Sequence, residues 1–233
     1  MAVDLEGVTA VLLPGTGSDG DYLRRAFAEP LGGAGARLVA VTPRPTGLVA
    51  GYLAALDKAG AHDPVVVGGV SLGAAVAVSW ALRHPDRVVA VLAALPPWTG
   101  APDAAPAALS ARHTAALLRR DGLDTAIAAM AASSPAWLAE ELGRSWRGQW
   151  PDLPGALDEA AGYTAPTAGQ LGRLRPPMGV AAAADDPIHP MDVAREWASA
   201  APHAALRTVA LSTFGPEPEA LGAACLEALR AAC

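Results

Sequence analysis

The stretch 65-VVVGGVSLGAAVAVSW-80 places a serine inside the pattern Gly-x-Ser-x-Gly, formed by Gly69, Ser71 and Gly73. The valine run before the serine is typical of a strand buried in a parallel sheet, and the alanine-rich run after it is typical of a helix. Small residues at 69 and 73 allow a sharp turn that exposes the hydroxyl at the edge of the sheet. This context predicts that Ser71 is a nucleophile; a glycine-rich turn with an incidental serine is the alternative.

Strand-like and helix-like segments alternate along most of the chain. Short apolar runs predict strands at 8–15, 36–43, 64–70, 87–95, 178–184 and 205–211. Helical spacing of apolar residues predicts helices at 21–31, 47–60, 72–85, 192–201 and 217–231. Such alternation predicts an α/β fold, with a mostly parallel sheet and helices on both of its faces.

The segment 99–170 departs from this alternation. It contains no clear strand, and its short helical pieces are broken by proline and glycine. We therefore predict a helical lid over 99–170, inserted between strands of an α/β core made of 1–98 and 171–233.

The composition argues against several functional classes. With 52% hydrophobic residues, a formal charge of −6 and no long basic run, the chain is not a typical binder of nucleic acid or of an anionic membrane. Cys225 and Cys233 are too few for a disulfide framework. The acidic start, MAVDLEG, does not read as a secretory leader, and no apolar run is a confident membrane span, so we expect a cytoplasmic protein.

A glycine-rich loop, 12-LLPGTGSDGD-21, follows the first predicted strand. The backbone N–H of Thr16 in this loop and that of Leu72 after the serine are candidates for binding a developing oxyanion. A phosphate loop is a weaker interpretation, because the Gly-Lys-Ser/Thr ending is missing and Asp19 and Asp21 would repel phosphate.

In these features the chain resembles the α/β-hydrolase family over nearly its whole length. The resemblance rests on the glycine loop, the turn GVSLG, the helix end RHPDRV, the helical lid and the stretch AAAADDPIHP. It implies that Asp186, in an Asp-x-x-x-Pro pattern with Pro190, is the acid partner of the serine. Asp185 is then a solvated or capping residue. The resemblance also implies a small-molecule acyl substrate and no metal or organic cofactor.

The general base is where the chain departs from the family. In the family a histidine follows the last strand, but the corresponding stretch 209-VALSTFGPEPEAL-221 contains none. His189, three residues after Asp186, and His113, in the predicted lid, are the candidates. In a third alternative no histidine acts, and Asp186 works directly or through water, or the site only binds. The remaining histidines are interpreted as structural or surface residues: His62, His84 and His203.

These residues predict a serine-dependent hydrolase of an ester, thioester or other activated acyl substrate with an apolar group. Trp98, directly after the fourth predicted strand, is expected to line the substrate pocket. The tryptophans of the predicted lid either line the pocket too or pack the lid onto the core; they are Trp137, Trp146 and Trp150. A catalytically impaired binder of an apolar small molecule is the main alternative, and a lyase or acyl transferase is a further one. The sequence leaves the oligomeric state open.

Overall fold

A six-stranded parallel sheet forms the centre of the molecule, seen in a computed structural model that describes residues 3–233. Its strands are β1 (Thr9–Leu13), β2 (Arg37–Ala40), β3 (Val65–Val70), β4 (Val88–Ala94), β5 (Met178–Ala182) and β6 (Ala204–Thr208). They lie in the order β2-β1-β3-β4-β5-β6, and every neighbouring pair is parallel. The predicted parallel sheet is therefore confirmed.

Helices cover both faces of the sheet. They are α1 (Gly20–Gly33), α2 (Leu48–Ala59), α3 (Leu72–Arg83), α4 (Pro106–Asp121), α5 (Leu123–Ser133), α6 (Ala136–Gln149), α7 (Leu153–Ala161), α8 (Ala168–Leu171), α9 (Met191–Ala200), α10 (Leu211–Phe214) and α11 (Glu219–Ala231). One core layer contains α1 and α11, and the opposite layer contains α2, α3 and α9. The carboxyl ends of all the strands thus meet at one edge, which is where ligands bind in open α/β sheets.

The burial of each strand follows its place in the sheet. β3 is buried at every residue, because strands flank it on two sides and helices cover both of its faces. The edge strands β2 and β6 are only partly buried. This difference explains why β3 consists of valine and glycine alone, whereas Arg37 and Arg207 are tolerated at the two edges.

Helices α4 to α8 lie between β4 and β5, and within the described residues the segment 99–170 contains no strand, as predicted. We call 99–170 the helical segment; its division from the core as a lid stays a prediction. Its small hydrophobic core consists of Ala115, Leu118, Ala126, Trp146, Leu153 and Leu157. Among residues 3–233, no helix has the length and apolar character needed to cross a membrane.

The predicted end of the last strand is wrong. The pattern indicated a strand over 205–211, but β6 ends at Thr208 and α10 begins at Leu211. The Leu211 N–H donates to the carboxylate of Asp185 at 2.8 Å, and the Phe214 side chain is buried. Asp185 therefore caps this short helix from a distant loop, and the local apolar pattern contains no trace of that hydrogen bond.

We expect Gly222→Ala to lower the free energy of unfolding by about 1–3 kcal/mol, because overpacking forces the backbone to shift. A Cβ on Gly222, in α11, would overlap the carbonyl oxygen of Ala26 in α1. Gly155, in α7, is the matched control. A Cβ there would meet nothing within 4 Å, so Gly155→Ala should be neutral or stabilise by up to about 1 kcal/mol. Urea unfolding followed by circular dichroism measures both; equal stability would contradict close packing of α11 on α1.

Candidate active site

Ser71 lies in the turn between β3 and α3, at the carboxyl edge of the sheet. Its backbone φ is 53°, in the left-handed region that residues other than glycine rarely adopt. The turn packs tightly against β1, because a Cβ at Gly69 or Gly73 would overlap the carbonyl oxygen of Leu13. The predicted strand–turn–helix context of the serine is therefore present, and its strained backbone is of the kind that clusters at functional sites.

The Ser71 hydroxyl lies within hydrogen-bond distance of a histidine. Nε2 of His189 is 2.9 Å from Oγ of Ser71, and Nδ1 of the same ring is 2.7 Å from Oδ2 of Asp186. Of the alternatives for the base, the structure thus brings His189 to the serine. His113 is exposed on α4 and lines the same cavity, but within residues 3–233 no hydrogen bond joins it to Ser71.

The loop 184–190 fixes Asp186 against His189. Oδ1 of Asp186 accepts hydrogen bonds from the N–H of Ile188 at 2.7 Å and of His189 at 3.2 Å, which leaves Oδ2 for the imidazole. Burial by itself would raise the pKa of Asp186. The hydrogen bonds to its carboxylate and the charge of His189 outweigh this effect, so the pKa lies below its ordinary value of 3.8. Because a carboxylate only accepts, Nδ1 carries a proton toward Asp186, and in the neutral imidazole Nε2 then accepts from the Ser71 hydroxyl.

The other histidines lie apart from this arrangement. His84 follows α3 and packs against Trp80, with 4.8 Å between the ring centroids. His62 and His203 are exposed. These placements agree with the structural and surface roles that the sequence predicted.

Two backbone segments that were predicted to bind an oxyanion meet beside the serine. Leu72 is the first residue of α3, where an N–H has no partner inside the helix. Thr16, in the loop after β1, lines the same cavity as Ser71 and Leu72. The buried Tyr52 hydroxyl steadies this loop by donating to the carbonyl of Pro14 at 3.0 Å. The two predicted segments are thus close together, and their role in catalysis stays a prediction.

Helix α6 rests on the loop after β1, a contact that the sequence did not predict. Nε2 of Gln149 donates to the carbonyl of Ser18 at 3.1 Å. The Trp146 ring lies so close to Gly17 that a Cβ there would be 2.7 Å from its Nε1. Gly17 also has a φ of 76°, so the only sequence signal for this contact was the glycine itself.

The carboxylates of Asp19, Asp21 and Glu141 cluster where α6 meets α1, with oxygens within 4.8 Å of one another. Arginines already pair with them. Arg144 bonds Asp19 at 2.6 Å and Glu141 at 2.5 Å, and Arg25 bonds Asp21 and Glu141. Burial by itself would raise the pKa of Asp19. The hydrogen bonds to its carboxylate, above all the one from Arg144, outweigh this effect and hold the pKa below its ordinary value. We therefore interpret the cluster as an ion-pair network that joins the helical segment to the core.

A cavity of about 440 Å³ lies between the strand ends and the helical segment, and Ser71 and His189 form part of its wall. Trp98 lines it, and its Nε1 donates to the carbonyl of Tyr163 at 3.1 Å, while its role in binding substrate stays a prediction. Trp150, by contrast, is 40% exposed at a different surface depression. Other large side chains on the wall are Leu117, Trp137, Leu138, Leu142, Trp146 and Phe214.

No protein-family model and no curated protein matches the sequence. Among solved structures, the chain is similar to an enol-lactonase from Burkholderia xenovorans (17% identity, covering 96% of this chain and 92% of that chain, TM-score 0.72). It is also similar to a thermophilic esterase from Thermogutta terrifontis with malate bound (21%, 97% and 91%, TM-score 0.70). An α/β hydrolase from Sphaerobacter thermophilus is a third such structure (19%, 95% and 92%, TM-score 0.64). The chain therefore has the α/β-hydrolase fold, as the sequence resemblance implied.

The contact between Asp186 and His189 should stabilise the protein in a pH-dependent way. Because the folded pKa of Asp186 is depressed, its carboxylate adds stability above the ordinary value of 3.8 and loses it as the pH falls through the folded pKa. Asp186→Asn should thus be less stable than the parent at about pH 6, and the difference should shrink below about pH 4. Urea unfolding across this range measures it, with Asp63→Asn, at an exposed loop position before β3, as control. A difference that stays constant with pH would contradict the expectation.

Proposed function

We propose that the protein is a serine-dependent hydrolase of esters, thioesters or other activated acyl compounds that carry an apolar group. The observation that carries the proposal is the hydrogen-bonded chain from Ser71 through His189 to Asp186 in the wall of an apolar cavity. Each distance is within the reach that a nucleophile and its general base require. The names of structures with the same fold, an esterase, an enol-lactonase and a hydrolase, support hydrolase chemistry in general.

In the proposed first step, the hydroxyl oxygen of Ser71 attacks the carbonyl carbon while Nε2 of His189 takes the hydroxyl proton. The carbonyl π electrons move onto oxygen, and the N–H groups of Thr16 and Leu72 donate hydrogen bonds to this oxyanion. Asp186 accepts from Nδ1, which keeps the imidazole in the required tautomer and stabilises the imidazolium that forms.

The tetrahedral intermediate then collapses. The electron pair returns to form the carbonyl, the bond to the leaving group breaks, and the leaving group takes the proton from Nε2 of His189. The acyl group is now an ester of Ser71. A water molecule gives a proton to Nε2 and attacks this ester, and a second collapse releases the carboxylic acid and returns the proton to Ser71.

The position of His189 supports its role as the general base even though no histidine follows β6. Acid and base come from one loop, in which Asp186 uses one oxygen for the loop backbone and the other for the imidazole. The binding-only alternative drew its support from a missing base, and the contact of 2.9 Å between His189 and Ser71 supports the enzyme proposal instead. In this proposal the helical segment is the lid over the cavity, and Trp98 helps to hold the apolar group.

Labelling with a fluorophosphonate tests the proposal. The intact mass of the native chain should increase by one adduct, and Ser71→Ala should abolish the increase. His189→Ala should slow labelling by about a thousandfold, because the serine loses its base. His113→Ala, on the wall of the same cavity, is the matched control and should label at the parental rate.

Two results would count against the proposed mechanism. A native chain that stays unmodified under conditions that label an ordinary serine hydrolase would overturn the enzyme proposal. Slow labelling of His113→Ala together with normal labelling of His189→Ala would move the base to α4.

We expect Gly17→Ala to lower kcat for a p-nitrophenyl ester by about a hundredfold, with a smaller change in KM. Alanine adopts a φ of 76° only with strain, and its methyl group would press on Trp146. Both effects displace the loop that carries Thr16. Gly169→Ala, at an exposed site with nothing within 4 Å of the added Cβ, is the control. A raised KM with unchanged kcat would show that the loop binds substrate without stabilising the oxyanion.

A further inference from the structure

The charged side chains on the cavity wall affect which charge a substrate can carry. Among the described residues that line the cavity, the carboxylates are those of Asp186 and Glu141. Asp186 is bonded to His189, and the Glu141 side chain is buried on α6. The other histidine on the wall is the exposed His113. Both of these carboxylates are therefore already bonded to other side chains, Asp186 to His189 and Glu141 to Arg144 and Arg25.

The two guanidinium groups next to this wall form ion pairs with protein carboxylates. Arg144 bonds Glu141 and Asp19, and Arg25 bonds Glu141 and Asp21. Within residues 3–233 neither arginine lines the cavity. Their positive charge therefore serves to hold α6 against α1, and neither guanidinium lies on the wall that a ligand would contact.

Most of the remaining wall is apolar, formed by side chains such as Leu117, Met130, Leu138, Leu142, Leu157 and Phe214. A charged group that leaves water for such a surface loses its hydration and requires a counter-ion, whereas an alkyl group or a neutral carbonyl loses far less. A carboxylate at the end of an acyl chain would exchange water for apolar side chains, and the described part of the wall has no lysine or arginine to pair with it. An uncharged chain of the same length would lose no such hydration.

We propose that the site selects esters whose acyl group is uncharged and rejects acyl groups that end in a carboxylate. This inference rests on the proposed hydrolase function and adds the charge of the substrate to it.

A matched pair of substrates tests the proposal: mono-p-nitrophenyl adipate and its methyl ester. The two differ in the free carboxylate at the far end of the acyl chain, and release of p-nitrophenolate reports cleavage at the same bond. After correction for spontaneous hydrolysis, kcat/KM should be at least about tenfold higher for the methyl ester. The ratio should persist at high ionic strength, because salt screens the surface charge of the protein far more than a buried site.

Met130 offers a variant that should weaken the selection against a carboxylate. It is half-buried on α5 and lines the cavity. A lysine can lay its alkyl stem on the apolar wall and place its ammonium group within reach of a ligand carboxylate. Met130→Lys should therefore raise kcat/KM for the half-ester relative to the methyl ester. Met130→Gln, similar in length and uncharged, should leave the parental ratio in place.

The outcomes separate this inference from the function on which it rests. If Ser71 is labelled but both adipates are cleaved equally well, or the half-ester better, the charge selection is overturned and the hydrolase proposal stands. If the preference disappears at high ionic strength, its cause is the surface charge of the protein, and the inference is also overturned. If neither ester is cleaved and Ser71 takes no label, the hydrolase proposal itself fails.

Discussion

The close contact between two glycines and the carbonyl oxygen of Leu13 is the constraint on which the rest of the site depends. Gly69 and Gly73 allow the turn after β3 to pack against the end of β1, and Ser71 is held there with a φ of 53°. The same contact brings the loop that contains Thr16 alongside the serine. A methyl group at either glycine would push the two strand ends apart, and the hydroxyl and the loop would no longer share one cavity wall.

The acid and the base depend on a more local constraint. Asp186 and His189 lie three residues apart, and Asp186 bonds both the backbone of their loop and the imidazole ring. One loop after β5 therefore suffices to present both groups. The segment after β6 contributes to the wall instead, since Leu211 and Phe214 line the cavity. The hydrogen bond from Leu211 to Asp185 joins the two segments, so the position of the wall and that of the loop are linked.

The strands and most helices were predictable because buried strands read as apolar runs and helices repeat their apolar positions. Ser71 could be placed because it directly follows β3, whereas Asp186 was assigned from the resemblance to the α/β-hydrolase family. His189 stayed one of several alternatives, because sequence spacing does not tell which way a loop folds. The hydrogen bond between Gln149 and Ser18 could not be predicted from the sequence, because it joins residues 131 positions apart and leaves no periodic signal.

Helix α6 connects the two halves of the site. It carries Glu141, which lines the cavity and is paired with arginines, and Gln149, which bonds the loop that contains Thr16. Arg144, on the same helix, pairs with Glu141 and with Asp19 at the end of that loop. A displacement of α6 would break these contacts together, because they share one rigid element. The part of the cavity wall around Glu141 and the position of the proposed oxyanion loop therefore both depend on a single helix.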